Sequence, residues 1–340
     1  MKRILGLIAV LVAGVVVFAQ TDQGTTPNGE PGIFAVNRLL ARSVNFGNAL
    51  EAPGEGAWGI TLNENYFELV KKADFTAIRL PANYNAHSDQ KAPYKVAREF
   101  MLRIDWAIKN AKKRGLAIVI DLHNFEDLCI KPKQNLDRWL GIWRQIATRY
   151  ANQPDSVIFE PFNEPHDKLE PLWNDYFAKV LAVIRETNPT RAVVMDGNGW
   201  SNSERMSELQ IPNDPNIILT FHNYTPFQFT HQGAEWWADG AKYLGTKWNG
   251  TPAEQAVVID YIEKAEKIAL AANLPLYMGE FGAYRKADIA SRIRWTTFTR
   301  QTAERKGISW GYWEFASGFG IYDQLMKQWR SDLLAAVIGK

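Results

Sequence analysis

Short runs of β-branched and apolar residues alternate with long amphipathic segments along most of this chain, and no other feature restricts its fold as tightly. Eight runs have strand character, at 43–47, 75–80, 116–123, 157–163, 192–197, 217–222, 276–281 and 308–313. Segments with a helical period lie between them, at 66–73, 97–114, 136–150, 173–187, 253–272 and 287–306. That alternation builds βαβ units and a parallel sheet. Eight units in about 300 residues predict a closed (β/α)8 barrel, a TIM barrel, with residues 32–340 as one domain. The rival is an open doubly wound sheet, which often has a glycine-rich phosphate turn after its first strand. Asn45-Phe46-Gly47-Asn48 at that place contains no such motif.

Lys2 and Arg3 precede an apolar run over 4–18, which closes in Val17-Phe18-Ala19 before Gln20. The run falls short of the roughly 20 apolar residues of a membrane-spanning helix. Residues 1–19 therefore read as a signal peptide and 20–31, polar with Gly and Pro, as a flexible leader. A secreted mature chain, extracellular or periplasmic and free of membrane, is expected. Apolar residues make up 46% and charged residues 22%, enough for a full core. A net charge of +2 without a basic run leaves no footprint for nucleic acid or anionic lipid. The single cysteine, Cys129, has no partner for an internal disulfide.

Barrel enzymes build their sites at the C-terminal ends of the strands. Here those ends are rich in polar residues: Arg79 on the second, His123-Asn124 on the third, Asn163-Glu164-Pro165 on the fourth, His222-Asn223-Tyr224 on the sixth, Glu280 on the seventh and Trp313-Glu314 on the eighth. Two glutamates three strands apart would face each other across the barrel mouth, a geometry suited to glycoside hydrolysis by paired carboxylates. One would protonate the leaving oxygen and the other attack the anomeric carbon.

Asn163-Glu164-Pro165 and Gly279-Glu280-Phe281-Gly282 resemble the acid/base and nucleophile segments of glycoside hydrolase family 5. The stretches 222–227, 230–236 and 313–320 resemble still more closely the family's endoglucanases from thermophilic bacteria of the Thermotoga and Fervidobacterium type. The resemblance implies a retaining endo-β-1,4-glucanase acting on cellulose-like or mixed-linkage glucan, with Glu164 as acid/base, Glu280 as nucleophile and no cofactor. It implies that Arg79 and Tyr224 orient Glu280, that Asn163 bonds the sugar 2-hydroxyl, and that His222 sits near the acid/base. His123 would line the cleavage subsite and Trp313 form a platform under the sugar. Asn48, Glu51, His231 and Trp236 match further substrate-contacting positions. Close relatives carry a second histidine where this chain has Asn124, and often a tyrosine where it has Asn223, so sugar preference turns first on Asn124.

Three other readings compete with this one. A β-mannanase, or a dual glucanase and mannanase, needs only small subsite changes. A non-catalytic carbohydrate-binding barrel would not need both glutamates together with Arg79 and Tyr224. A metal-dependent hydrolase would use the histidines and carboxylates as ligands, but no H-x-H or H-E-x-x-H spacing accompanies them. Trp236, in a long insertion after the sixth strand, reads as sugar-stacking; Trp200, Trp237 and Trp248 read equally as stacking or packing residues. The chain is expected to act as a monomer on a polysaccharide.

Overall fold

The computed structural model describes residues 32–340. The residues assigned to the signal peptide and leader lie outside that range. Eight parallel strands close on themselves in sequence order: β1 Arg42–Asn45, β2 Ala77–Ala82, β3 Ala117–Leu122, β4 Val157–Glu160, β5 Val193–Asp196, β6 Ile217–Asn223, β7 Leu276–Phe281 and β8 Ser309–Tyr312, with β8 pairing back onto β1. The fold is a single (β/α)8 barrel, as the alternation predicts. All six expected helices form, four of them as Arg98–Lys113, Pro132–Arg149, Trp173–Arg185 and Ile289–Arg305. Between β5 and β6 only short turns occur, at Asn198–Ser201 and Ser203–Glu208, where no helical period was read either. Strand β4 ends three residues earlier than expected, because Pro161 has no N–H for the ladder.

The barrel interior is apolar at its base and charged at its mouth. Val119, Ile158, Val194, Ile218 and Tyr277 fill the lower layer, and Ile33 of the helix Gly32–Leu39 closes it from below. That helix is fastened across the base: Asn37 Nδ2 donates to the Leu276 carbonyl at 3.2 Å, and Ser309 Oγ donates to the Asn37 carbonyl at 2.8 Å. The larger apolar cluster lies between strands and helices and takes in Trp139, Trp143, Trp173, Trp295 and Trp310, all fully buried. Much of the chain's tryptophan thus serves the core.

Register shifts interrupt the ladders at Phe221/His222 and between Met278 and Phe281, so β6 and β7 are irregular where they carry His222 and Glu280. Such bulges re-aim side chains beside active sites. The irregularity requires a glycine before Glu280: a Cβ at Gly279 would stand 2.9 Å from Thr220 Oγ1 and 3.0 Å from His222 Nε2.

Candidate active site

The strand ends converge on a cleft of about 1120 Å³ at the barrel mouth, lined by both Glu164 and Glu280. A carboxylate oxygen of each, with a ring nitrogen of His222, fall within 4.8 Å of one another. Their surroundings differ. Glu280, just past the β7 irregularity, is held from two sides: Arg79 Nη1 donates to Oε1 and the Tyr224 hydroxyl to Oε2, both at 2.7 Å. Among the described residues no lysine or arginine lies in hydrogen-bond range of Glu164. Its Oε1 lies 2.7 Å from His222 Nδ1, and its side chain stays 23% exposed toward the cleft. Burial raises the Glu164 pKa above its ordinary value, while the nearby histidines and Arg79 pull the other way. His222 is pushed down to about 4, first by burial, and is neutral at working pH. Glu164 also has a left-handed backbone, φ 53°. Strain in a non-glycine residue persists only where neighbours over-determine it, and it gathers at functional sites.

Arg79 is the hub below this pair. It is fully buried and makes a two-pronged contact with Glu160, Nε to Oε2 at 2.8 Å and Nη2 to Oε1 at 2.6 Å. It also reaches Asn45 Oδ1 at 3.0 Å, Asn163 Oδ1 at 2.7 Å and the Asp121 carboxylate at 3.0 Å. Burial works against its charge, but Asp121, Glu160 and Glu280 outweigh that and hold its pKa well above the ordinary arginine value. Burial pushes Asp121 up to about 7 despite Arg79. With its oxygen taken by Arg79, Asn163 has its amide N–H groups left to donate.

The other expected contact residues line the same cleft. His123 stacks on Trp313, ring centroids 5.8 Å apart, and its Nδ1 meets Asp121 Oδ2 at 2.6 Å. Trp236 is 62% exposed, and His231 stacks against Phe227 at 4.0 Å. Asn48 Nδ2 donates to Ser317 Oγ at 3.0 Å, and Asn124 Nδ2 donates to the Glu51 carbonyl at 3.0 Å. Glu51 is 1% exposed, and its carboxylate accepts from the backbone N–H groups of Asn48 and Ala49. Of the ambiguous tryptophans, Trp200 lines the cleft, Trp237 stacks on Tyr243 and Trp248 is buried.

Sequence reasoning gave no role to Asn45, Glu160 or Asp196, each an inward-facing polar residue at a strand end, nor to the cleft residue Trp58. Alternation along β4 would have flagged Glu160, since a charge facing the barrel interior requires a partner.

Glu314 was read as part of the polar mouth, and it too lines the cleft, yet it is fully buried. Its Oε1 accepts from the Phe319 N–H at 3.1 Å, and its Oε2 has no hydrogen-bond partner among the described residues. Burial, with Glu51 nearby, pushes its pKa from 4.5 up to about 8. Below about pH 4.5 the folded and unfolded chains both keep this proton, and between the two values only the unfolded chain releases it. Stability therefore falls as pH rises through that window. Glu314→Gln is expected to flatten the decline, gaining on the order of 4 kcal/mol relative to wild type at pH 9 against pH 5. Urea midpoints at the two pH values measure this; a variant that keeps the full decline would remove Glu314 as its source.

A family model described as "Cellulase (glycosyl hydrolase family 5)" matches residues 43–318. Endoglucanase H of Acetivibrio thermocellus is 31% identical over 91% of the chain, which spans 33% of that longer protein. Endoglucanase C of the same organism is 27% identical over 80% of the chain and 90% of its own length. Among solved structures, endoglucanase Cel5A of Thermotoga maritima superimposes with a TM-score of 0.88 at 43% identity, covering 90% of this chain and 99% of its own. A hyperthermophilic endo-β-1,4-glucanase solved with substrate gives 0.89 at 40% identity, covering 91% and 99%.

Proposed function

Because the chain belongs to glycosyl hydrolase family 5 and is a glycoside hydrolase of the cellulase type, we propose that it is a retaining endo-β-1,4-glucanase working by double displacement, with Glu164 as acid/base and Glu280 as nucleophile. The observation that carries this reading is the close approach of the two carboxylates, within 4.8 Å, in unlike surroundings. Retaining enzymes hold the two groups about 5 to 5.5 Å apart, and inverting enzymes need a gap of about 6.5 Å or more for a water.

Glu280, ionised beside Arg79, attacks the anomeric carbon while Glu164 gives its proton to the glycosidic oxygen, so the C1–O bond breaks and a glycosyl ester forms on Glu280. The Tyr224 hydroxyl, 2.7 Å from Oε2, steadies the carboxylate and lets go as that oxygen bonds carbon. Glu164, now ionised, takes a proton from water, whose oxygen attacks C1 and frees Glu280. Asn163 donates to the 2-hydroxyl, a contact that strengthens in the transition state. Trp313, backed by His123, carries the sugar face, and Asn48, Glu51, Asn124, His231 and Trp236 complete the substrate contacts. None of these steps calls for a cofactor. Export through residues 1–19 and action as a monomer belong to the same proposal and rest on the sequence; among the described residues no helix is long and apolar enough to cross a membrane.

The acid step sets the alkaline side of the pH profile. Burial raises the Glu164 pKa, so the alkaline limb of kcat/KM is expected above 4.5 and activity is lost as pH rises through the raised value. In Glu164→Gln that limb should vanish on a substrate with an activated leaving group, and turnover should fall by about 100- to 10,000-fold on unactivated glucan. Added azide should restore turnover of the activated substrate and release a β-glycosyl azide; an α product would rule out retention.

A second reading, dual action on glucan and mannan, is favoured by one observation. The Thermotoga maritima Cel5A fold, 42% identical, has been solved with both cellobiose and mannotriose. Reducing-sugar release from β-glucan and glucomannan separates the two specificities.

A further inference from the structure

The backbone that carries the acid/base turns sharply twice: Glu164 and Asp167 both have left-handed φ, 53° and 52°, with His166 extended between them. The Glu164 main chain is held at its N–H by Asp196 Oδ1, at 3.2 Å, and at its carbonyl by His166 Nδ1, at 2.7 Å. The far nitrogen of that ring, Nε2, lies 3.3 Å from Glu126 Oε2, and the ring lies flat on Trp200, centroids 4.6 Å apart and planes 10° from parallel. Trp200 is itself joined to the turn, its N–H donating to the Pro165 carbonyl at 3.3 Å, and it is half exposed and lines the cleft. Trp200 and Ser201 also have left-handed φ, 58° and 53°. Strained segments of this kind persist only where neighbours over-determine them. His166 touches both.

Its two partners fix the state of the His166 ring. A carbonyl oxygen only accepts, so Nδ1 carries a proton; the Glu126 side chain, 64% exposed, is ionised and only accepts, so Nε2 carries one as well. We propose that His166 is a positioning residue for the acid/base: an imidazolium that pins the strained Glu164 turn by its carbonyl and holds Trp200 flat beside it, so that the acid keeps its aim on the glycosidic oxygen. The inference rests on Glu164 being the acid/base.

The groups around the ring favour that charge. Glu126 and Cys129 reach it from the short helix Glu126–Ile130, Cys129 Sγ standing 3.6 Å from Nδ1, and Asp167 Oδ2 stands 3.9 Å from Nε2. Trp200 offers an aromatic face, which attracts a cation. Burial works against the charge, but the contacts with Cys129, Glu126 and the Glu164 carbonyl outweigh it and push the His166 pKa up to about 11. The ring is thus charged wherever Glu164 works. Its charge acts back on the acid: burial raises the Glu164 pKa, and His166 is among the groups that oppose the rise by favouring the ionised form.

His166→Phe and His166→Asn separate the parts. Phenylalanine keeps a ring on Trp200 and loses the donor; asparagine places an N–H where Nδ1 stood and loses the ring and its charge. On β-glucan, whose leaving sugar needs a proton, His166→Phe should lower kcat/KM at least about tenfold, and His166→Asn should recover most of that loss. On dinitrophenyl cellobioside, whose leaving group needs none, kcat/KM should stay within about twofold in both. The alkaline limb on β-glucan should move to higher pH in both variants, because ionised Glu164 loses a neighbouring cation. Equal losses on the two substrates, full activity of His166→Phe on β-glucan, an asparagine variant as impaired as phenylalanine, or an unmoved alkaline limb would overturn the proposal. If the variants do not fold, nitrogen-15 NMR of the His166 ring in the wild-type protein at neutral pH decides. Protons on both ring nitrogens are expected, and a neutral ring overturns it. Failure of azide rescue in Glu164→Gln would remove the acid/base role itself; successful rescue with no substrate split in His166→Phe would remove this inference alone.

Discussion

Glu280→Gln is expected to leave the barrel folded and to cut kcat on β-glucan by about 10,000-fold or more, the scale seen when a covalent nucleophile is removed from an otherwise intact site. The amide is close in size to the carboxylate: its oxygen can keep the bond from Arg79 that Oε1 accepts, while its NH2, at the Oε2 position, donates to the Tyr224 hydroxyl instead of accepting from it. It lacks the negative charge that makes a carboxylate oxygen nucleophilic enough to form the ester with C1. Substrate affinity should change little, because the cleft walls at Trp313, Trp236 and Asn48 are untouched. Loss of kcat with a near-constant KM is the kinetic signature, and steady-state assays with a melting curve measure both. Substantial turnover in a pure variant would remove Glu280 from the reaction.

Arg79→Ala should cost about 3–5 kcal/mol of stability, the scale for deleting one partner of a buried charge cluster. The reason lies in what remains. Asp121, Glu160 and Glu280 would face one another in the barrel interior without the guanidinium that now contacts all three, at 3.0, 2.6 and 2.7 Å. Carboxylates stripped of a cation bind protons more readily, so the deficit should shrink as pH falls from 7 toward 4. Arg79→Lys should regain part of the stability but little activity, since an ammonium supplies charge without the planar fork that spans Glu160, Asn163 and Glu280 together. Denaturant midpoints at the two pH values test this; an unchanged midpoint in Arg79→Ala would show that the cluster is not held by that charge.

Much of the fold was legible because a parallel strand buried on both faces leaves a continuous apolar run, as in 118–120 or 217–219, and the crossover helices carry a clear 3.6-residue period. Strand ends were read less well. Pro161 shortens β4, whereas Pro81 sits inside β2, so proline stopped one strand and not the other. The cleft residues were legible through the family resemblance, which attaches to contiguous motifs such as 163–165 and 279–282. The polar layer beneath them was not. Glu160 and Asp196 come from separate strands and acquire partners only when the barrel closes, Glu160 with Arg79 from 81 residues away. Glu314 shows the converse: a glutamate at a strand end, beside a platform tryptophan, turns inward to cap a backbone N–H instead of joining the catalytic pair.

The most direct test of Glu280 as nucleophile is to trap the intermediate. An activated 2-deoxy-2-fluoro cellobioside slows both steps of a double displacement but leaves a good leaving group for the first, so the glycosyl-enzyme should accumulate. Intact mass should rise by one fluorocellobiosyl unit, and peptide mapping should place it on Glu280 and on no other carboxylate. An adduct on Glu164, or prompt release of α-configured product with no adduct, would contradict the retaining mechanism built on this pair.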